Sequence, residues 1–268
     1  DDIISEIIDG RFVALNVYDD QEHASQVFKM NNRTAIPVVD DNDVLLGIVT
    51  IDDILWVTNE EFSEDMQKMG GMEALNEPYL DISIFKLFKK RITWLVVLFI
   101  GELFTATAMG YFEDELAKVL VLASFIPLIL STGGNSGSQS STLIIQAMAV
   151  GEITIADWWK ILRREIIGGF LLGILLGILG FFRVAVWHMI VPGFYGVHWF
   201  LIGITIGFTI LGVVIWGTMT GSMLPIVLKR LGADPAVSSA PFVATLVDVT
   251  AILIYFSLAY FFLSGTLL

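Results

Sequence analysis

Asp248 lies inside an apolar run that extends from Val237 to Leu263. An ionisable group at membrane depth costs roughly 2.5–3.5 kcal/mol on insertion scales, so its presence points to function. At helical spacing around it stand Ala240, Pro241, Ala244, Thr245 and Ala251, all small, while Phe242, Val243, Leu246, Val247, Val249 and Leu253 take the other faces. The carboxylate therefore faces a narrow cleared space rather than lipid. Pro241 is expected to free the carbonyl of Val237 from its helical bond. No lysine or arginine sits deep in any apolar run, and Arg183, the nearest, stands toward the outer end of its own. The bland reading is an acid paired to a base inside a bundle. Without such a base, the partner is a cation.

The second polar feature is the run Thr132-Gly133-Gly134-Asn135-Ser136-Gly137-Ser138-Gln139-Ser140-Ser141. On a helix, Thr132, Asn135, Ser136 and Gln139 share a face and offer hydroxyl and amide oxygens. The glycines admit a close backbone approach, or an opened helix with inward carbonyls. Pro127 is expected to add a kink. Interhelical hydrogen bonding is the competing explanation, but ten polar or small residues exceed what it needs. Glu102, after Gly101, is a further acid in an apolar run, either lining a path or capping a helix contact. Asp248, Asn135, Thr245 and freed carbonyls form an oxygen-only donor set, which suits a hard cation. Mg2+ keeps several waters and is held by one or two carboxylates, whereas Ca2+ takes six to eight oxygens. A two-fold dimer would double the acid at its axis. These arguments reach a hard divalent cation and do not by themselves select magnesium.

These residues need a membrane bundle to position them. Of 268 residues, 55% are hydrophobic and 16% charged, with mean hydropathy +0.76. Soluble domains carry about 25% charged residues. The absence of cysteine excludes disulfides, zinc ribbons and thiol catalysis, and three histidines leave little for histidine-rich metal sites. A net charge of −13 argues against a nucleic-acid partner. Five apolar runs are long enough to cross a bilayer: Ile92–Tyr111, Val119–Val150, Ile166–Met189, Trp199–Leu228 and Val237–Leu263. The second is too long for one straight crossing and is expected to kink or tilt. Glycines repeat every fourth residue at Gly169, Gly173 and Gly177, and at Gly203 and Gly207, a spacing that packs helices closely.

Basic residues cluster before the first run (Lys89, Lys90, Arg91), between the second and third (Lys160, Arg163, Arg164) and between the fourth and fifth (Lys229, Arg230). That alternation predicts a cytoplasmic N-terminus and an outer C-terminus. The chain starts on Asp1 rather than Met and is expected to be a fragment; no signal peptide is visible.

Residues 1–91 hold 19 acids and 8 bases, an acidic module ahead of the membrane part. Phe12–Val17, 35–39 and Leu45–Thr50 are predicted strands, Gln21–Met30 a helix, and Asp52–Val57 the start of another. Asn59–Leu80 predicts a connecting helix, interrupted at Gly70-Gly71. Its acids Glu60, Glu61, Glu64 and Asp65, with Asp53, are either a solvated face or a divalent-cation sensor that holds a compact state when filled.

Taken together, the stretches 35–40 and 46–53, the run from Thr132, and the segments Gly221–Pro225, Leu231–Ala236 and Pro241–Asp248 resemble the MgtE family of bacterial magnesium channels and transporters, the first two being similar to a CBS motif. The likeness covers nearly the whole chain. It implies an α-helical polytopic membrane protein with five transmembrane helices. It also implies an N-terminal cytoplasmic α/β CBS module at 1–58, an acidic connecting helix at 59–88 and a pore domain at 89–268. It implies a homodimer in the bacterial inner membrane, in contact with lipid, admitting Mg2+ with Asp248 as selectivity site and the Ala244 carbonyl supporting it. Closure would follow Mg2+ binding among the cytoplasmic acids. Family CBS domains can bind adenine nucleotides such as ATP, and Thr50 with Asp53 fits their ribose-binding pattern. Members carry an N-terminal helical domain and two CBS motifs, of which only the second is clear here. Ala240 stands where a relative has asparagine, and Ala251 where glycine is common.

Three other readings compete with this one. Gly134-Asn135-Ser136-Gly137 fits the GxSG pattern of rhomboid-type proteases. Serine catalysis needs a base within hydrogen-bond reach, and His23, His188 and His198 lie outside mid-membrane, so the chain is read as no enzyme. A membrane-anchored nucleotide or cation sensor without conduction leaves Asp248 without a role. Co2+, Ni2+ or Ca2+ in place of Mg2+ is not separated by oxygen ligands alone.

Overall fold

The computed structural model describes residues 12–114 and 119–267. The chain divides into two compact units, Asp1–Met66 and Gln67–Leu268. Among the described residues, five helical segments are long and apolar enough to cross a membrane.

The first unit is a small α/β fold. Strand β1 (Leu15–Asn16) pairs parallel with β2 (Ala35–Val39), which pairs antiparallel with β3 (Leu45–Thr50). Helix α1 (Gln21–Asn31) starts at Asp20, whose side chain accepts the Glu22 amide, and ends where Asn32 turns left-handed. The β2–β3 turn is held by the Asp40 carboxylate, which accepts the amides of Asn42 (2.8 Å) and Val44 (2.9 Å). Those two bonds lower the Asp40 pKa below the ordinary carboxylate value. Leu15, Val27, Phe28, Ile36 and Ile54 form the core. β1 is shorter than the expected Phe12–Val17: its ladder with β2 holds Leu15 and Asn16, and Val17 adds only an amide bond to Val39 O at 2.9 Å as the chain turns away.

Helix α2 runs unbroken from Ile51 to Met69. It ends in a Schellman turn, where Met72 N–H donates to Gln67 O and Gly71 N–H to Lys68 O. Gly71 takes φ +75° there, a conformation that glycine adopts at little cost. The glycine pair therefore ends the helix rather than interrupting it, and residues 72–83 form turns before helix resumes at Ile84.

The second unit holds α3 (Ile84–Tyr111), the short α4 (Leu120–Ala123), α5 (Ile126–Ala149), α6 (Trp158–Ile190), α7 (Trp199–Arg230) and α8 (Ala240–Leu263). The second apolar run does bend, but the break falls at Ser124-Phe125, before the polar stretch. The buried Tyr255 hydroxyl donates to the Leu122 carbonyl at 2.9 Å, satisfying backbone at that break. Pro127 sits in the first turn of α5, where its missing N–H has no helical partner to lose. It starts the helix rather than kinking it, and Thr132–Ser141 stays closed α-helix. Pro241 likewise opens α8. Val237 lies before that helix, in the 3-10 turn Pro235–Val237, and its carbonyl accepts the Ser239 amide at 2.7 Å. Contrary to expectation, Pro241 frees no helical bond of that carbonyl.

α7 lies against α5, α6 and α8, and glycine makes two of these contacts. A Cβ on Gly217 would sit 2.6 Å from Gly133 O, and one on Gly221 would collide with Gly137 O. Between α6 and α7, a Cβ on Gly177 would sit 2.6 Å from Gly207 O. α3 is held differently, chiefly against α8: Thr245 fills the space beside Gly101, Trp94 meets Phe242, and Phe112 stacks on Phe256 at 4.5 Å. Overpacking a close contact costs about 1–3 kcal/mol, so Gly217→Val should lower thermal stability in detergent by that amount. Gly212→Ala, whose Cβ would meet Ile254 at an ordinary 3.4 Å, should stay within about 0.5 kcal/mol of the parent.

Candidate cation site

The N-terminus of α8 is tied in place before Asp248 is reached. Lys68 pairs with Asp234 at 2.6 Å. Asp234 accepts the Ala236 amide at 2.9 Å and opens the turn Pro235–Val237. Two serines of α5 then grip the start of α8: Ser141 Oγ donates to Ser238 O and Ser138 Oγ to Ala240 O, both at 2.9 Å. Ser239 caps the helix by accepting the Phe242 amide.

One and two turns further, α8 meets the bare flank of α5. A Cβ on Gly134 would stand 3.2 Å from Ala244 Cβ and 3.7 Å from Asp248 Oδ1. The carboxylate thus lies against glycine backbone, half-buried. Thr245, one turn before it, packs on Gly101 of α3, and the adjacent Glu102 is within electrostatic reach of Asp248. Among the described residues, no lysine, arginine or histidine pairs with Asp248 and no donor is hydrogen-bonded to it. Ala244 and Asp248 are therefore brought together at Gly134, with Thr245 on the side of the helix that meets Gly101, next in sequence to Glu102. Arg183 stays away from it, with its guanidinium over Trp187 and a hydrogen bond to Tyr195.

The polar run of α5 divides into two sets. Ser136, Ser138, Ser140 and Ser141 turn into the bundle; Ser136 is buried and donates to Thr132 O at 2.8 Å. It does not share the open face expected for it. Asn135 and Gln139 are exposed and Thr132 is half-buried, so these three keep oxygen donors on a flank that this chain leaves uncovered.

Glu165 was not anticipated. It accepts a hydrogen bond from Ser140 Oγ at 2.6 Å, and its carbonyl accepts one from Thr218. The third span was expected to start at Ile166, which left this acid outside. The helix starts at Trp158, so Ile161, Glu165 and Gly169 form one stripe facing the bundle. That four-residue spacing was the available signal.

In the first unit, Asp53 Oδ2 accepts both the Thr50 hydroxyl (2.7 Å) and the Thr50 amide (3.3 Å). Glu61 accepts a hydrogen bond from Gln21, while Glu60, Glu64 and Asp65 lie along the same helix. Among the described residues, no three His, Cys, Asp or Glu side chains converge as a metal site.

Residues 126–258 match the family model for MgtE, divalent cation transporter, and residues 4–59 match that for the CBS domain. The chain is 36% identical over 256 residues to a magnesium transporter MgtE of Thermus thermophilus, covering 96% of this chain and 55% of that one. It is 33% identical over 265 residues to one of Enterococcus faecalis, covering 98% and 55%. It is 30% identical over 256 residues to one of Bacillus subtilis, covering 96% and 54%. The chain spans about half the length of the curated relatives it matches.

A half-buried carboxylate without a basic partner destabilises the ion-free bundle. In EDTA, Asp248→Asn should raise thermal stability in detergent, by up to about 3 kcal/mol, the insertion cost of an acid at a helix centre. A fall on that substitution would mean that the carboxylate already has a structural partner.

Proposed function

The chain belongs to the MgtE family, and from that premise we propose that it works as a homodimeric, magnesium-selective channel or transporter rather than an enzyme. The observation that carries this reading is the Asp248 carboxylate, set against Gly134 in the apolar bundle with no basic partner among the described residues. Such a group is stabilised by a cation that passes or rests there.

The uncovered flank of α5 supports the dimer. Asn135 and Gln139 are poor neighbours for lipid, and a second copy across a two-fold axis would enclose them and place two Asp248 side chains on one path. Within that path Asp248 is the charged ligand. The Ala244 carbonyl, Asn135 and Thr245 supply neutral oxygens, and Thr132, Gln139 and Glu102 line the approach. One acid per chain with neutral oxygens suits an ion that keeps part of its water shell, as Mg2+ does. The relatives' name, magnesium transporter, favours the same ion.

The basic residues at Lys89–Arg91, Lys160–Arg164 and Lys229–Arg230 support a cytoplasmic first unit and a bacterial inner membrane location, with uptake into the cell. In this reading, Mg2+ at Asp53, Glu60, Glu61, Glu64 and Asp65 holds the closed state. These acids need facing acids from elsewhere in the dimer to form a complete site. ATP at the CBS module would use Thr50 and Asp53 for the ribose.

Mg2+ flux into liposomes carrying the purified chain tests the proposal. Asp248→Ala and Asp248→Asn should each cut flux by at least about tenfold, a barrier change of ~1.4 kcal/mol. Full flux in both would remove Asp248 from the path. Co2+ or Ni2+ flux without Mg2+ flux would reassign the ion, and no flux in the parent chain would favour a non-conducting sensor.

A further inference from the structure

At the end of α6 remote from Lys160, a groove of about 560 Å³ lies between α5 and α6. Leu128, Leu176, Leu179 and Phe194 line it, and Gly180 lets Ile210 close its floor. Arg183 stands on the rim. Its guanidinium carbon lies 4.5 Å from the centre of the Trp187 ring, and its Nη1 donates to the Tyr195 hydroxyl at 3.4 Å. Tyr195 is itself buried. Having accepted from arginine, its hydroxyl keeps a proton that no described acceptor takes. Among the described residues, no carboxylate pairs with Arg183.

These features ask for a ligand that is anionic at one end and apolar along its length. Arginine presents a planar fork of donors that matches phosphate oxygens. Trp187, Tyr195 and Trp199 mark this level as the aromatic belt of the bilayer boundary. Lipid phosphate is the anion present at that depth in any bilayer, and the apolar wall has no use for a small free anion. We propose that the groove binds one anionic phospholipid. Its phosphate meets the Arg183 guanidinium and the Tyr195 hydroxyl, and an acyl chain lies along Leu128, Leu176 and Leu179.

The test is native mass spectrometry of the delipidated full chain, titrated with phosphatidylglycerol, phosphatidylcholine or glycerol phosphate. One phosphatidylglycerol per chain should bind in preference to phosphatidylcholine. Arg183→Gln, and Leu179→Trp, which fills the groove without altering charge, should each weaken that binding about tenfold, the scale of one charge-assisted hydrogen bond. Arg183→Lys, which keeps the charge but loses the fork, should bind between the parent and Arg183→Gln. Unchanged binding in Arg183→Gln, or equal retention of the two lipids, would overturn the proposal. Glycerol phosphate binding as tightly as the lipid would make this a site for free anions. A change of oligomer mass in either variant, with lipid retention unaffected, would make the groove an interface between copies.

Discussion

The bundle depends on how closely backbone approaches backbone at α5. Without Cβ atoms at Gly133 and Gly137, and at Gly217 and Gly221 on α7, two helices share a seam where carbonyl oxygen lies near helix axis. In lipid no solvent-driven force pushes helices together, so contacts at this distance carry their association. The seam also fixes the rotation of α5. With Gly133 and Gly137 turned to α7, Gly134 faces α8 and Asn135 faces outward. The position of the Asp248 carboxylate is thus a consequence of packing that does not involve charge.

The serines complete that arrangement. Ser138 and Ser141 join α5 to the start of α8 through the carbonyls of Ala240, its first residue, and of Ser238, just ahead of it. Their hydroxyl protons are satisfied within the bundle, which lowers the cost of keeping a polar run at this depth. What remains outward, Asn135 and Gln139, is a smaller polar set than the sequence displays. One run therefore serves two purposes, joining helices on one side and offering oxygens on the other.

Much of this was legible in the sequence. Five spans followed from apolar length, and the small neighbours of Asp248 followed from helical spacing, because both are properties of a single helix. The strands at 35–39 and 45–50 were equally plain from their short apolar, β-branched runs and the acidic turn between them. What one helix cannot report is its neighbour. Helical spacing groups Ser136 with Asn135, yet Ser136 is buried while Asn135 stays exposed, a division that neighbouring helices impose. Glu165 fell outside the expected span because charge beside Arg163 and Arg164 looks like a helix end; its packing stripe outweighed that signal. Pro127 and Pro241 look like disruptors within apolar runs, yet both occupy first turns, where proline fits.

The loose attachment of α3 bears on the order of assembly. Its described contacts fall chiefly on α8, through one glycine and a few aromatic rings, and most of its length remains open. Nothing in the seam of α5 with α7, or of α6 with α7, requires it. Among the described spans α3 is first in sequence, yet the contacts that join the other four do not involve it, so their association need not wait for its docking.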